Sequence, residues 1–229
     1  MTEALDSIQR GLDQAQVKGG TRRQFVGASA AALGGMGLMG VLPSSASAAD
    51  PTNDTQTVLN VAATAEVLAT IVNTVGFESR LGLDRVTRRN IKAAAQEELR
   101  HYDVLVGLGG TPATKRIWVP NEVFSSAESL LNTLVVGDQI FVNAYLIGVG
   151  AFAKLDPKLA AVPAEFMGAE AVHRALALQS LGELGNDRIF MKVEFFHVLE
   201  AVDRLQVAGF GFGGPGARPD HFSDFDDVR

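Results

Sequence analysis

The sequence predicts an all-α domain of four long helices in two hairpins, with a long crossover between helices 2 and 3 and a fifth, C-terminal helix. Three observations predict it. Four apolar-periodic segments of helical length follow one another, each closed by a turn signal. No convincing run of β-branched residues alternates in the manner of a strand. The links inside each hairpin are short, whereas the link between them is long enough to travel the length of the helices.

The first helix is expected over about residues 54–75, stopping at Gly76. The second begins near Asp84, whose side chain can accept from the free N–H groups of the first turn, and ends around Leu108, before Gly109 and Gly110. Residues 111–124 hold two prolines and the only tryptophan, Trp118, and show no helical period. The third helix starts after Ser125 or Ser126 and runs to about Lys154, with Glu128 in its first turn to complement the positive helix end. The fourth runs from near Pro163 to about Leu184, ahead of Gly185 and Asn186. A fifth is expected over about residues 189–207, and residues 215–229 read as an irregular acidic tail. Two hairpins joined by one long crossover form the ferritin-like arrangement of a four-helix bundle.

Ahead of these helices lies a segment of a different kind. Thr21-Arg22-Arg23-Gln24-Phe25 precedes the glycine-rich apolar residues 26–42, and Ala46-Ser47-Ala48 follows as a small-residue cleavage signal. This resembles a twin-arginine (Tat) signal peptide, so residues 1–48 are expected to direct export to the periplasm, envelope or exterior. The domain proper then spans 49–214. Without the leader's four basic and three acidic residues, the remainder carries 16 basic and 23 acidic residues, net −7. That balance argues against nucleic acid, and it leaves the signal peptide as the only expected membrane contact. The chain has no cysteine, so an exported form would have no disulfide framework.

The most specific pattern is a duplicated one. Glu98 and His101 form a Glu-x-x-His pair with Glu66 lying 32 residues before Glu98; Glu170 and His173 form another, with Asp138 lying 32 residues before Glu170. On a helix, a three-residue offset puts Glu and His on one face, where both can grip one ion. With 12 Glu and 4 His in 229 residues, chance supplies only ~0.2 such pairs. A third pair, Glu194–His197, has Val162 at the corresponding upstream position and is expected to be a packing and surface pair. In the predicted topology each acid sits midway along one helix and its Glu-x-x-His midway back along the next, so all six side chains can meet. Small residues surround Glu66 (Ala62, Ala63, Ala69, Thr70, Asn73), leaving room for a carboxylate. Tyr145 is two turns from Asp138 and corresponds under the 72-residue repeat to Asn73; both are expected to point inward.

Glu66, Glu98, His101, Asp138, Glu170 and His173 are therefore the expected metal ligands, around two iron or manganese ions. Four carboxylates balance two divalent cations, and two imidazoles complete the set. Zinc fits less well, since no thiolate is available and six donors exceed a tetrahedron. Asp138, one methylene shorter than glutamate, is the least able to bridge. Glu97, about 100° around the helix from Glu98, is expected to face solvent or to contact a ligand from behind. Singly, each of these residues reads as an ordinary helix-surface or core residue; the matched set carries the reading.

From about residue 54 to 212 the chain resembles the ferritin-like domain of exported, Tat-signal bacterial proteins related to the desiccation-associated family. The residues carrying the resemblance are Ala65-Glu66, Glu97-Glu98-Leu99-Arg100-His101, Gly137-Asp138 leading to Ala144-Tyr145-Leu146, Ala169-Glu170-Ala171-Val172-His173 and Ala208-Gly209-Phe210. The family usually has glutamate where this chain has Asp138. The resemblance implies a ferritin-like fold with a metal site. The expected function is iron oxidation or reaction with oxygen or peroxide in stress protection, with a small molecule or metal ion as partner and a homo-oligomer as one assembly. The alternative is a non-catalytic stress or scaffold protein with a structural or lost metal.

Overall fold

A computed structural model describes residues 53–186 and 193–229, so the expected leader lies outside the described residues. Five α-helices are described: α1 Thr55–Glu78, α2 Arg85–Gly107, α3 Ala127–Leu155, α4 Ala161–Ser180 and α5 Leu199–Val207. The caps are those legible in the sequence. Asp54 accepts from Thr57 N–H, Asp84 from the N–H groups of Val86 and Thr87, and Ser126 from Ser129 N–H. Gly76 does not stop α1, which continues to Glu78. A Cβ at Gly76 would stand 2.8 Å from a methyl of the fully buried Leu130, so this glycine is there to let two helices approach.

Contacts at the helix ends fix the directions. Gln56, at the start of α1, donates to Gly109 O beyond the end of α2, while Arg88, at the start of α2, donates to Phe77 O at the end of α1. Gly76 against Leu130, and Val58 against Gly148, set α1 antiparallel to α3. Thr87 Oγ1 donates to Ser180 Oγ at 2.9 Å, setting α2 antiparallel to α4, and Gly148 against Pro163 does the same for α3 and α4. It follows that α2 and α3 run the same way, and the chain between them must return along the helices' length.

That returning segment is not structureless, which departs from the sequence expectation. Arg116–Pro120 forms strand β1, flanked antiparallel by β2 (Gly211–Phe212) and β3 (Asp220–Asp224). Ile117 and Val119 point into the core, fully buried, while Trp118 faces outward against Phe222. The acidic tail is therefore an ordered edge strand followed by a 3-10 turn (Phe225–Asp227), not an irregular end. Phe225 is fully buried against Tyr102 and under Lys115. Three short strands drawn from distant parts of the chain leave no local alternation long enough to read.

The fifth helix is also shorter than expected. Residues 189–192 lie outside the described set, and residues 193–198 are not helical. Two asparagines explain this. Asn143 on α3 accepts from Glu194 N–H at 2.6 Å and donates to Phe195 O at 2.8 Å. Asn53 does likewise for Val198 N–H and Phe196 O. These amides replace helical partners and hold the segment out of helix, with Phe195 and Val198 driven into the core. Together with the sheet and α5, it covers the side of α1 that α2 and α3 leave open. That is why α1 is apolar nearly all round, long and apolar enough to cross a membrane, yet 83% buried over its most apolar window.

Because Asn143 is almost fully buried, Asn143→Ala leaves a buried N–H and a buried C=O without partners. The expected cost is about 2–4 kcal/mol in urea unfolding. A loss below about 0.5 kcal/mol would show that residues 193–198 are held by apolar contacts alone.

Candidate metal centre

The middle of each long helix contributes to one cluster. α1 supplies Glu66, α2 supplies Glu98 and His101, α3 supplies Asp138, and α4 supplies Glu170 and His173. Glu66, Glu98 and Glu170 are wholly inaccessible to solvent (0%), and Asp138 and His101 are buried beside them. Three fully buried carboxylates in one apolar interior are costly unless something positive or protonated joins them.

Glu98 turns Oε2 to His101 Nδ1 at 3.2 Å and Oε1 to His173 Nδ1 at 3.0 Å. Glu170 does the same, with Oε1 at 3.5 Å from His101 Nδ1 and Oε2 at 3.7 Å from His173 Nδ1. Glu66 Oε1 lies 3.6 Å from His101 Nδ1. Both central glutamates thus span the two histidines. Despite these distances, both oxygens of Glu98 and of Glu170, and Nδ1 of each histidine, lack a hydrogen-bond partner. The atoms are close, but they aim at a common space instead of at each other. Donors about 2.1 Å from one ion stand roughly 3.0 Å apart across a right angle, and the separations here run from 3.0 to 3.7 Å. One donor atom each from Glu66, Glu98, His101 and Glu170 lie within 4.8 Å of one another, a group that could hold a metal ion.

His173 stands outside that group of four, and so does Asp138, whose side chain is the shortest of the carboxylates. Asp138 remains buried in the same interior, with Oδ2 unpartnered. Glu97 contacts His173 from behind: its Oε2 lies 2.7 Å from Nε2, on the ring edge opposite the Nδ1 that faces the carboxylates. Tyr145 donates its phenol to Glu66 Oε1. Phe166 stacks on His101 with ring centroids 4.1 Å apart. The Phe166 contact escaped the sequence reading; its position one turn before Glu170 was the available signal. Glu194 pairs with Arg204 at 3.2 Å and not with any cluster residue, and its pair with His197 is not on a helix.

The electrostatics describe what the cluster does without a cation. Burial, then the neighbouring Glu98 charge, push the Glu66 carboxyl up to about 7. Burial and the Glu170 charge raise Asp138 well above the usual carboxylate range. For His101, burial opposes the charge, but Glu170, Glu66 and Glu98 outweigh it and push the imidazole up to about 12. Glu170 and Glu98 likewise overcome burial and raise His173. Protons on the histidines and on Glu66 then stand in for positive charge, and a bound cation would displace them.

Comparison of the chain with protein-family models, with curated proteins and with solved structures finds no match.

The metal-free protein should lose stability as pH rises. Glu66, raised from 4.5 to about 7, contributes stability that is full below 4.5 and lost towards 7. His101, raised from 6.5 to about 12, contributes stability that is full below 6.5 and lost above it. The thermal midpoint of the metal-free chain is expected to fall between about pH 5 and 8, and Glu66→Gln to flatten the lower part of that fall. A midpoint that rises over this interval would contradict the charge assignment.

Proposed function

We propose that this chain is a ferritin-like four-helix bundle holding two iron or manganese ions, exported by its twin-arginine leader. In the cell envelope it would oxidise iron or react with dioxygen or peroxide. The observation that carries the reading is the paired contact of Glu98 and Glu170 with both histidines. Two carboxylates presenting one oxygen to each side suit a pair of cations, and His101 and His173 stand on opposite sides of them. Glu66 supplies a further oxygen beside His101, and Asp138 the corresponding one on the His173 side.

The residues present fit such a pair by charge and by donor chemistry. Four carboxylates match two divalent ions, every donor is oxygen or imidazole nitrogen, and the chain has no thiolate to recruit softer metals. A bound pair supplies Lewis acidity and two-electron redox chemistry. The protein's own part is positional. Glu97 holds the His173 ring, Tyr145 holds Glu66 while keeping its own proton beside the cluster, and the packed helices exclude bulk water. Burial, followed by the Glu66 and Glu170 charges, raises the Tyr145 phenol well above its ordinary value, so that proton is retained at neutral pH.

Metal analysis tests the proposal. The purified protein is expected to carry about two iron or manganese ions per chain. His101→Ala combined with His173→Ala should abolish tight binding, and Glu170→Gln should eliminate oxygen and peroxide turnover with helical content retained. A double-histidine variant with full metal content would refute the site.

A further inference from the structure

The two halves of the cluster are related by a 72-residue repeat, yet they are not equally filled. On one side Tyr145 closes over Glu66 and Phe166 lies on the His101 ring. The residues 72 positions earlier in the repeat, which would do the same for Asp138 and His173, are Asn73 and Ala94. Asn73 turns its amide away to Ala69 O at 3.1 Å. On this half, then, a tyrosine, a phenylalanine and a glutamate are replaced by smaller side chains, and a cavity lies where the two rings would be. Asn73, Ala94, Ile91, Leu134, Asp138 and His173 line it, with a free volume of about 20 Å³, enough for a molecule of water size. It also reaches Thr87 in the first turn of α2 and Ser180 at the end of α4. Thr87 lies about 10 Å along α2 from Ala94, and its hydroxyl donates to Ser180 Oγ at 2.9 Å at the outer end of the cavity.

We propose that this cavity is the entry route for a small uncharged oxidant, dioxygen or hydrogen peroxide, to the Asp138/His173 side of the cluster. On the other side Tyr145 and Phe166 pack directly on Glu66 and His101. The inference rests on the metal-centre reading and narrows its substrate. Among the lining residues, charge is confined to the inner end, at Asp138 and His173, while the walls are aliphatic and the outer part carries only neutral Thr87, Asn90 and Ser180. A hydrated ferrous ion would shed its water along such a wall without replacement ligands, whereas a small neutral molecule meets no such cost. Asp138 Oδ2, buried without a partner at the inner end, marks where the arriving molecule meets the site.

Ala94→Phe restores the missing ring and should plug the route without removing any ligand, and Ala94→Val is a smaller plug for use if the phenylalanine disturbs packing. Crystals of the purified full-length protein under krypton pressure should show gas bound between Ala94, Leu134 and Asp138 in wild type and none in Ala94→Phe. With metal content unchanged, oxidation of the ferrous-loaded protein by dissolved dioxygen or by hydrogen peroxide should slow at least tenfold in Ala94→Phe and less in Ala94→Val. Slowing of only one oxidant assigns the route to that oxidant. Krypton beside Phe166 and Tyr145 instead, or an Ala94→Phe protein with full metal that reacts at the wild-type rate, would overturn the proposal. Wild type that takes krypton in the cavity but binds neither added ferrous nor added manganous ion would sink the metal reading while leaving the cavity in place.

Discussion

Three carboxylates with no solvent access, packed against two imidazoles at the centre of four helices, are the constraint on which the rest of the structure depends. Such a group is unfavourable in an apolar interior, and its arrangement has to serve whatever positive charge joins it. The surrounding helices show that service. Small residues flank Glu66, Glu97 and Tyr145 hold ligands from outside the cluster, and the donor atoms are aimed at shared space instead of being spent on mutual hydrogen bonds. Protons can fill the role in the absence of metal, which makes the fold sensitive to pH through the same atoms that would bind a cation.

The cover of α1 follows from its composition: the helix is apolar nearly all round, and α2 with α3 cannot bury every side of it. The crossover strand, the clamped segment at 193–198, α5 and the C-terminal strand complete the cover. Elements that look peripheral in the chain thus cover the side of α1 that faces away from the cluster. The cluster in turn is lopsided: large rings close one half, and Asn73 and Ala94 leave space in the other.

The helices and the buried group of Glu66, Glu98, His101 and Glu170 were legible because their signals are local and periodic. Asp54, Asp84 and Ser126 cap where they stand, and a Glu-x-x-His pair declares its own face. What was not legible depends on partners far away in sequence. Gly76 reads as a stop until Leu130 is seen opposite it, and Arg116–Pro120 becomes a strand only when residues near 211 and 222 flank it. The 193–198 segment has helical residue types, but Asn143 and Asn53 take its backbone groups. Glu97 was ambiguous because only the packing of α4 on α2 brings His173 to it.

In the proposed site Glu98 and Glu170 lie between two cations, one beside each histidine. Anomalous diffraction from crystals of protein purified without added chelator, collected on both sides of the iron and manganese absorption edges, tests it most directly. The account predicts two peaks flanked by both glutamates, one next to His101 Nδ1 and Glu66, the other next to His173 Nδ1 and Asp138. A cluster closed by hydrogen bonds with no anomalous density, after soaking in ferrous or manganous ion, would contradict it.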